Sequence, residues 1–338
     1  MTNPDPAAVL HLIDAFRHSK TMFTAVKLGI FDLLADAPQT AEALAAELGA
    51  NPEALERLLH GCVGLGLLEQ RGATFCNSDV AAVYLRRSSP QSLAGYILYS
   101  NDVLFPMWSH LEDAVRDGSH RWQQTFQSDG PLWDQFFRTP ESMRTFVMGM
   151  HGFGVIGSPA VARAFDLSEF RTLADLGGAT GHLTIAACEA WPHLHGIVFD
   201  LEKVIPVARE QVALSEARNR IQCMAGDFFK DALPAADLFA LGRILHDWSP
   251  ANIDRLLKRI FAALPPGGAL LIAEKIMEED KSGPLPAHMQ SLNMLVVTEG
   301  KERTLGEYES LLRGAGFASV TGVRTGKPID AMLARKRR

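Results

Sequence analysis

The sequence predicts an α/β protein in which a Rossmann-like parallel sheet follows a smaller helical domain. From Leu173 onward, short apolar strands alternate with helical stretches, and each strand ends on glycine or polar residues. The first hundred residues follow helical periodicity instead. With 338 residues and 47% hydrophobic content, the chain can bury a sizeable core. We expect two domains, 1–105 and 106–338.

The first domain has the outline of a winged helix. Residues 7–35 place apolar side chains at helical spacing, and residues 40–49 form a short alanine-rich helix. A further helix at 51–68 begins with Asn51 as its N-cap and a proline at its first position. Residues 71–79 then suggest a small hairpin in the place of the wing.

Charge decides between two interpretations of this domain. A winged helix often binds DNA, but the helix that would enter the groove begins with Glu53 and Glu56 and carries only Arg57 as a fixed positive charge. Those carboxylates would repel phosphates, and the net charge of the chain is −6. We therefore expect a helical packing domain that buries apolar faces against a second copy and binds no nucleic acid.

Between the domains lies a region rich in methionine and aromatic residues. We expect most of these side chains to be ordinary core, and a few to line a pocket for a flat apolar ligand. Phe146 and Met150 are our candidates for that pocket. His151 follows directly and is either a satisfied core histidine or a pocket donor.

The stretch LADLGGATGH, residues 173–182, is the most informative in the chain. An apolar strand runs through Asp175 into Gly177 and Gly178, and Gly181 precedes a helix. Glycines let the backbone turn tightly and approach a ligand, while free N–H groups at a helix N-terminus favour polar or anionic groups. The spacing D-x-G-x-x-x-G differs from the G-x-G-x-x-G of dinucleotide dehydrogenases.

Polar residues also follow the next predicted strands. Asp200 ends the strand at 196–200, where an acid can accept both hydroxyls of a ribose. Asp227 and Phe228 end the strand at 221–229, and a carboxylate beside an aromatic ring suits an adenine.

Two further predicted strands end on groups that can carry chemistry. The segment 236–248 ends in Arg243, His246 and Asp247, and residues 269–274 end on Glu274. The carboxyl ends of parallel strands lie along one edge of the sheet, so we expect these side chains to share a site.

Six motifs together resemble the plant-caffeic-acid-type family of S-adenosylmethionine-dependent O-methyltransferases, in its acetylserotonin O-methyltransferase branch with the methyltransferase-like relative of that branch. They are DLGGATG, VFDL, GDFFKDALPAADL, GRILHDWS, PPGGALLIAE and SLNMLVVTEGKERT. The resemblance covers nearly the whole chain. It implies a class I methyltransferase sheet, a winged-helix-like dimerisation domain, S-adenosyl-L-methionine as cofactor, a small aromatic acceptor with a hydroxyl group, and a homodimer.

The resemblance also implies roles for individual residues. His246 is the expected general base, flanked by Glu274 and Glu302. Asp247 and Asn293 are expected at the acceptor. The residues expected around the cofactor are Asp175, Gly177, Gly178, Gly181, Asp200, Gly226, Asp227, Phe228 and Arg243. One position departs from the branch: Val297 stands where the melatonin-forming enzyme has glutamine, which argues against N-acetylserotonin itself as the acceptor.

Charge and acidity suggest how such a site would work. A phenol has a pKa of about 10 and an unperturbed imidazole one of about 6.5, so full ionisation before transfer is unfavourable. A positioned imidazole can instead take the proton as the new O–C bond forms, a contribution of roughly 10²–10⁴-fold. A carboxylate would hold the ring tautomer and stabilise the resulting imidazolium.

Two alternatives to this function remain open from the sequence. The first is a relative that binds S-adenosylmethionine without methylating, such as a hydroxylase or decarboxylase, although retention of His246 with both glutamates argues against it. The second is a metal site built from His246, Asp227 and Glu274, since imidazole and carboxylates suit divalent ions. No ligand spacing supports that metal site, and the family works without metal.

Location is predicted from absences in the sequence. The four cysteines show no metal-ligand spacing, as expected of reduced thiols. The N-terminus lacks the apolar segment of a signal peptide, and no continuous apolar run reaches the roughly 18 residues of a membrane span. We expect a cytoplasmic protein that does not bind membranes.

Overall fold

The computed structural model of the protein describes residues 4–338. The chain divides into two compact units, Met1–Val103 and Leu104–Arg338. The second unit holds the large sheet and every strand end that the sequence singled out.

The first unit is helical with a small antiparallel sheet in the order β1-β3-β2. Its helices are α1 (Ala7–Leu28), α2 (Ile30–Leu33), α3 (Ala41–Leu48), α4 (Pro52–Gly64), α5 (Asp79–Tyr84) and α6 (Ala94–Tyr99). Its strands are β1 (Gln39–Thr40), β2 (Leu68–Arg71) and β3 (Thr74–Asn77). The Asn51 side chain caps α4 by accepting a hydrogen bond from the N–H of Ala54 at 2.9 Å, as predicted.

Two boundaries in this unit differ from the prediction. The helix expected to reach residue 68 ends at Gly64, because Gly66 has a φ of +70°, outside helical space. The hairpin expected at 71–79 spans 68–77 instead and turns at Gly72, whose φ is +61°. Leu68 therefore begins a strand rather than ending the helix.

Helix α1 leaves an apolar surface uncovered in the single chain. Five large apolar side chains near its start are more than half exposed: Val9, Leu10, Leu12, Ile13 and Phe16. Arg57, the one fixed positive charge on α4, forms an ion pair with Glu53 one turn earlier. The first unit therefore presents an apolar face rather than a basic one.

The second unit contains a seven-stranded sheet in the order β11-β12-β8-β7-β4-β5-β6. The strands are β4 (Thr172–Leu176), β5 (His195–Asp200), β6 (Ile221–Ala225), β7 (Leu238–Gly242), β8 (Ala269–Glu274), β11 (Ser319–Val323) and β12 (Asp330–Arg335), with β9 (Ile276–Met277) and β10 (Arg303–Thr304) in a separate parallel pair. Within the seven-stranded sheet, β12 alone runs antiparallel to its neighbours. The other six strands are parallel to one another. They include the five that the sequence predicted, β4–β8, whereas β11 and β12 were not predicted.

Helices cover both faces of this sheet. The unit contains α7 (Phe105–Trp108), α8 (Leu111–Asp117), α9 (Trp122–Phe126), α10 (Leu132–Phe136), α11 (Pro140–Ala162), α12 (His182–Ala190), α13 (Ile205–Leu214), α14 (Pro250–Ala263), α15 (Leu285–Val297) and α16 (Leu305–Gly314), of which α11–α14 and α16 pack on the sheet. Alternate residues of β7 pack into different cores, Phe239 with α14 and α16, and Ala240 with α11 and α12. Burial on both faces explains why the strand reads as one continuous apolar run.

Helix α11 is long and apolar enough, by length and composition alone, to cross a membrane. Its sequence contains no long continuous apolar run, because glycine, serine and His151 interrupt the apolar residues. Thr139 and Ser142 cap the helix in a capping box, and it packs against α12. A core helix passes the same test of composition, so this property by itself carries no conclusion about a membrane.

Candidate active site

The site lies where the strand order reverses. Strands β4 and β7 are hydrogen-bonded neighbours, but the chain leaves them toward opposite halves of the sheet. Such a switch point opens a crevice at the carboxyl ends of the strands. The glycine loop after β4 and the Arg243–Asp247 segment after β7 meet there, flanked by the ends of β5, β6 and β8.

The glycine loop requires glycine at two positions, each for the same two reasons: a positive φ and a close neighbour. Gly177 has a φ of +71°, and a Cβ there would lie 2.7 Å from Cδ1 of Ile244. Gly181 has a φ of +79°, precedes the first residue of α12, and would place a Cβ 2.8 Å from Val198. Gly178 has no positive φ and is only crowded. The loop thus keeps its backbone close to its surroundings, with N–H groups at the start of α12.

Asp175 lies inside the unit. Its Oδ2 accepts a hydrogen bond at 3.0 Å from the hydroxyl of Thr184, on α12, and the residue is 2% exposed. Burial raises the pKa of the Asp175 carboxyl to about 7, and the nearby Asp200 adds to the increase. The structure therefore shows Asp175 tying β4 to α12 beneath the loop.

Asp200 stands at the end of β5 beside that loop. Its two oxygens accept backbone N–H bonds from Ala179, at 2.8 Å, and from Leu201, at 2.7 Å. Burial raises the pKa of this carboxyl to about 6 even though these two bonds oppose the increase. Each oxygen keeps a further lone pair with which to accept a ligand hydroxyl.

The loop after β6 carries the three residues expected at an adenine. A Cβ on Gly226 would lie 2.2 Å from the ring of Phe199, so close packing requires glycine there. Asp227 accepts an N–H bond from Phe229 at 2.8 Å, and Lys230 lies 2.9 Å from its other oxygen. The ring of Phe228 lies edge-on to that of Phe229, with centroids 4.9 Å apart.

His246 is at the centre of a buried charged cluster. It lies on a 3₁₀ turn, Leu245–Asp247, and is 3% exposed. Its Nδ1 is 2.6 Å from Oε1 of Glu302 and 3.1 Å from Oε2 of Glu274. Its Nε2 is 3.7 Å from Oδ1 of Asp247, which is too far for a hydrogen bond.

Backbone groups hold this cluster in place. Oε1 of Glu274, at the end of β8, accepts N–H bonds from Ile244 at 3.0 Å and Leu245 at 2.8 Å. Arg303 donates to the carbonyl oxygen of Leu245 at 3.2 Å. A Cβ on Gly300 would lie 2.1 Å from the carbonyl oxygen of His246, so the segment before Glu302 can approach the turn only with glycine at that position.

Burial raises the pKa of every carboxyl around His246. The two glutamates are at most 2% exposed, and loss of hydration is the main cause for both. The pKa of Asp247 rises to about 7 for the same reason, while the His246 ring opposes the increase. At Glu274 the His246 ring likewise opposes the increase in pKa, whereas at Glu302 Arg243 is the main opposing group.

The same three side chains could also hold a metal ion. One ligand atom from each of His246, Glu274 and Glu302 lies within 4.8 Å of the others. The sequence alternative placed Asp227 in this set, but Asp227 lies on the β6 loop and pairs with Lys230. Nδ1 of His246 and Oε1 of Glu274 already form hydrogen bonds, whereas Oε2 of Glu274 and Oε2 of Glu302 have no hydrogen-bond partner within the described residues.

Arg243 has an unusual backbone for an arginine, with a φ of +58°. Its N–H donates to the carbonyl oxygen of Ala273 at 2.9 Å, and its guanidinium lies 5.2 Å from the ring centroid of Phe153. This conformation directs the side chain from the end of β7 toward α11 and the buried cluster.

A cavity of about 330 Å³ opens beside the cluster, with Arg243, His246 and Glu302 in its wall. Its lining includes none of the four residues predicted at the acceptor: Asp247, Phe146, Met150 and Asn293. Phe146 instead packs with the rings of Trp133 and Phe136, and the Asn293 oxygen accepts a bond from Trp108 at 2.9 Å. Their roles stay predictions.

The sequence left the role of one polar residue at the site open and did not predict several others. His151 binds Thr180 of the glycine loop at 2.9 Å through Nδ1, which leaves its predicted alternatives open. His182, Ser158 and Gln290 line the cavity from α12, α11 and α15. The position of His182, directly after the last glycine of the loop, could have indicated a site residue. No sequence pattern links positions 158, 182 and 290.

The sheet order, the glycine turn and the acidic strand ends define the class I fold of S-adenosylmethionine-dependent methyltransferases. The chain matches an O-methyltransferase domain over residues 108–318 and an O-methyltransferase dimerisation domain over residues 10–87. It belongs to this O-methyltransferase family and is an S-adenosylmethionine-dependent O-methyltransferase.

Individual relatives agree with this assignment. Acetylserotonin O-methyltransferase of Gallus gallus is 41% identical, over 98% of this chain and 97% of that protein. A probable bifunctional dTTP/UTP pyrophosphatase/methyltransferase protein of Homo sapiens is 40% identical, over 98% of this chain but 54% of that protein. The crystal structure of human N-acetylserotonin methyltransferase with SAM superposes with a TM-score of 0.94 at 36% identity, over the whole of both chains. The predicted fold, family and cofactor are confirmed, and the alternative that does not methylate gains no support.

Proposed function

We propose that the protein transfers a methyl group to a hydroxyl of a small aromatic acceptor, a phenol or a hydroxyindole, with His246 as the general base. The observation that carries this proposal is the bond between Nδ1 of His246 and Glu302, which leaves Nε2 free at the carboxyl end of β7. The names of the relatives add support, because they describe the methylation of acetylserotonin.

Proton positions follow from that geometry. A neutral imidazole carries one N–H, and a carboxylate 2.6 Å from Nδ1 stabilises the tautomer with the proton on Nδ1. The lone pair is then on Nε2, where it can accept the proton of the acceptor hydroxyl. Glu302 and Glu274 stabilise the imidazolium that forms, since both lie within 3.1 Å of Nδ1.

The residues at the other strand ends fit the cofactor. S-adenosylmethionine supplies a methyl group already activated on a sulfonium. The loop that contains Gly177 and Gly181 brings backbone close enough that a Cβ would collide, and Asp200 keeps free lone pairs for the ribose hydroxyls. Asp227 and Phe228 would bind the adenine, and Arg243 would contact the cofactor from the other side.

We also propose that the protein is a homodimer and binds neither nucleic acid nor metal for its activity. The dimerisation domain and the exposed apolar face of α1 support the dimer. The ion pair between Arg57 and Glu53 supports the absence of a DNA-reading helix. A cytoplasmic location remains our proposal as well, supported by four cysteines that form no disulfide within the described residues.

The test combines cofactor binding with product detection. Calorimetry would measure the affinity for S-adenosylmethionine, and mass spectrometry would screen phenols and hydroxyindoles for a product heavier by one methylene unit. We expect His246→Ala and His246→Gln to lower turnover by roughly 10²–10⁴-fold while cofactor affinity is retained.

An exposed histidine provides the control. His193→Gln makes the same chemical change on the surface and should leave turnover unchanged. Equal loss of cofactor affinity and turnover in the His246 variants would show that His246 is structural and would overturn its assignment as base. Cofactor binding without any methylated product across the panel would overturn the assigned acceptor class.

A further inference from the structure

The cavity beside His246 contains polar groups that the proposed chemistry does not use. It is about 330 Å³, within the range of small-ligand pockets, and Gln290 on α15 contributes to its wall. Nε2 of Gln290 is shielded from solvent and has no hydrogen-bond partner among residues 4–338. An unpaired buried donor costs roughly 1–3 kcal/mol, so this amide is a group that a ligand would satisfy.

Each of the two basic side chains in the cavity wall, Lys275 and Arg243, lies beside carboxyl groups. Lys275 lies 3.2 Å from Asp330 in an ion pair that is largely buried. Arg243 faces the carboxyls of Asp247, Glu274 and Glu302. These carboxyls would repel an anionic ligand group, whereas a neutral oxygen can accept the Gln290 hydrogen bond without that repulsion.

The remaining walls are apolar or neutral. Leu183, Pro286 and Ile329 contribute hydrocarbon surface. His182 binds Ser158 through Nδ1 at 2.8 Å, and its ring packs directly on Gly154, where a Cβ would lie 2.3 Å from it. Burial lowers the pKa of His182 to about 3, so the ring is neutral at physiological pH.

We propose that this cavity binds the end of the acceptor remote from its reacting hydroxyl, and that the Gln290 amide donates a hydrogen bond to a neutral oxygen there, such as a carbonyl. This inference rests on the proposed function, because His246, the proposed base for the reacting hydroxyl, also lines this cavity. Gln290 is then a residue that determines specificity and takes no part in the proton transfer.

A matched pair of acceptors tests the hydrogen bond. The probes are 4-(3-oxobutyl)phenol and 4-butylphenol, which differ by one carbonyl oxygen. Their affinities would be measured by calorimetry on the complex with S-adenosylhomocysteine, which cannot react. Since a neutral hydrogen bond contributes roughly 0.5–1.5 kcal/mol, we expect the wild type to prefer the ketone by about 3–10-fold. Gln290→Leu should abolish the preference, while the exposed Gln123→Leu retains it.

A second variant tests the location. Ile329→Phe would fill part of the cavity and should weaken binding of both substituted phenols, while binding of unsubstituted phenol changes little. A wild type without preference for the ketone, or a Gln290→Leu variant that keeps it, would overturn the inference. Methylation of the same probes is measured separately, so a protein that binds them selectively but yields no methyl ether would overturn the proposed function instead.

Discussion

Nδ1 of His246 lies 2.6 Å from Oε1 of Glu302, although the two residues are 56 positions apart in the chain. Both side chains are buried. Glu302 directly precedes the short strand β10, and the parallel pairing of β10 with β9 brings this part of the chain back to the turn that contains His246. This contact sets the tautomer of the imidazole and therefore which nitrogen can accept a proton.

Two substitutions at Glu302 separate its charge from its hydrogen bond. Glu302→Gln can still accept the Nδ1 proton but cannot neutralise an imidazolium, so we expect turnover to fall by roughly 10–10²-fold. Glu302→Leu removes both functions and should cost more. Steady-state kinetics with calorimetric cofactor affinities would measure this. Identical turnover in the two variants, below that of the wild type, would mean that the charge of Glu302 matters and its hydrogen bond does not. Wild-type turnover in both would mean that Glu302 acts only by filling space.

Gly300→Ala tests the packing behind the histidine. The new Cβ would lie 2.1 Å from the carbonyl oxygen of His246, a backbone atom that can yield only if the 3₁₀ turn shifts. We expect turnover to drop by about 10²-fold, as displacements near 1 Å produce elsewhere, with cofactor affinity retained. Gly314→Ala is the control, since it lies in α16 with open space around it and should stabilise the protein slightly.

Gly177→Ala should impair the cofactor site. It combines a φ of +71° with a Cβ 2.7 Å from Ile244, whereas Gly326 has a φ of +69° and no atom within 4 Å. Gly326→Ala therefore carries only the backbone strain of about 1 kcal/mol. We expect Gly177→Ala alone to weaken S-adenosylmethionine binding, by at least about tenfold, in calorimetry. Equal affinities in both variants would overturn the expectation that the cofactor site requires glycine at position 177.

Cofactor affinity should depend on pH through Asp200. Burial raises the pKa of this carboxyl to about 6, and ribose hydroxyls form stronger hydrogen bonds with its ionised form. Above pH 6 affinity should be constant. Below pH 6 the carboxyl must first release a proton, so affinity should fall by up to about tenfold per pH unit. Calorimetry in buffers of different ionisation enthalpy would detect the released proton, and Asp200→Asn should give weaker, pH-independent binding.

The apolar face of α1 should hold two chains together. Leu12 is 72% exposed in the single chain, and a charge there would have to be buried in a dimer. Light scattering should find a dimer for the wild type and a monomer for Leu12→Glu. Val115→Glu, at a site 64% exposed on α8 in the other unit, should remain dimeric. A dimeric Leu12→Glu protein would place the interface elsewhere.

Local patterns were enough for most of the fold. Periodicity and end residues located the strands of the parallel sheet within a few residues, because burial on both faces requires continuous apolar runs. Helix ends were less certain: α4 stops at Gly64, four residues before the predicted limit, since a positive φ at Gly66 is a backbone property that apolar spacing does not reveal.

Sequence alone determined the residue types at the ends of the strands, and hence the glycine loop, Asp200 and His246 as candidates, because parallel strands deliver their carboxyl ends to one edge. Only the tertiary structure decided which of them touch. In the structure, Glu302 contacts His246, and Asp175 accepts a hydrogen bond from Thr184 inside the unit. One cavity is lined by Ser158, His182 and Gln290. Such contacts join residues far apart in the chain, and no short-range pattern records them, because packing between separate elements sets the distances.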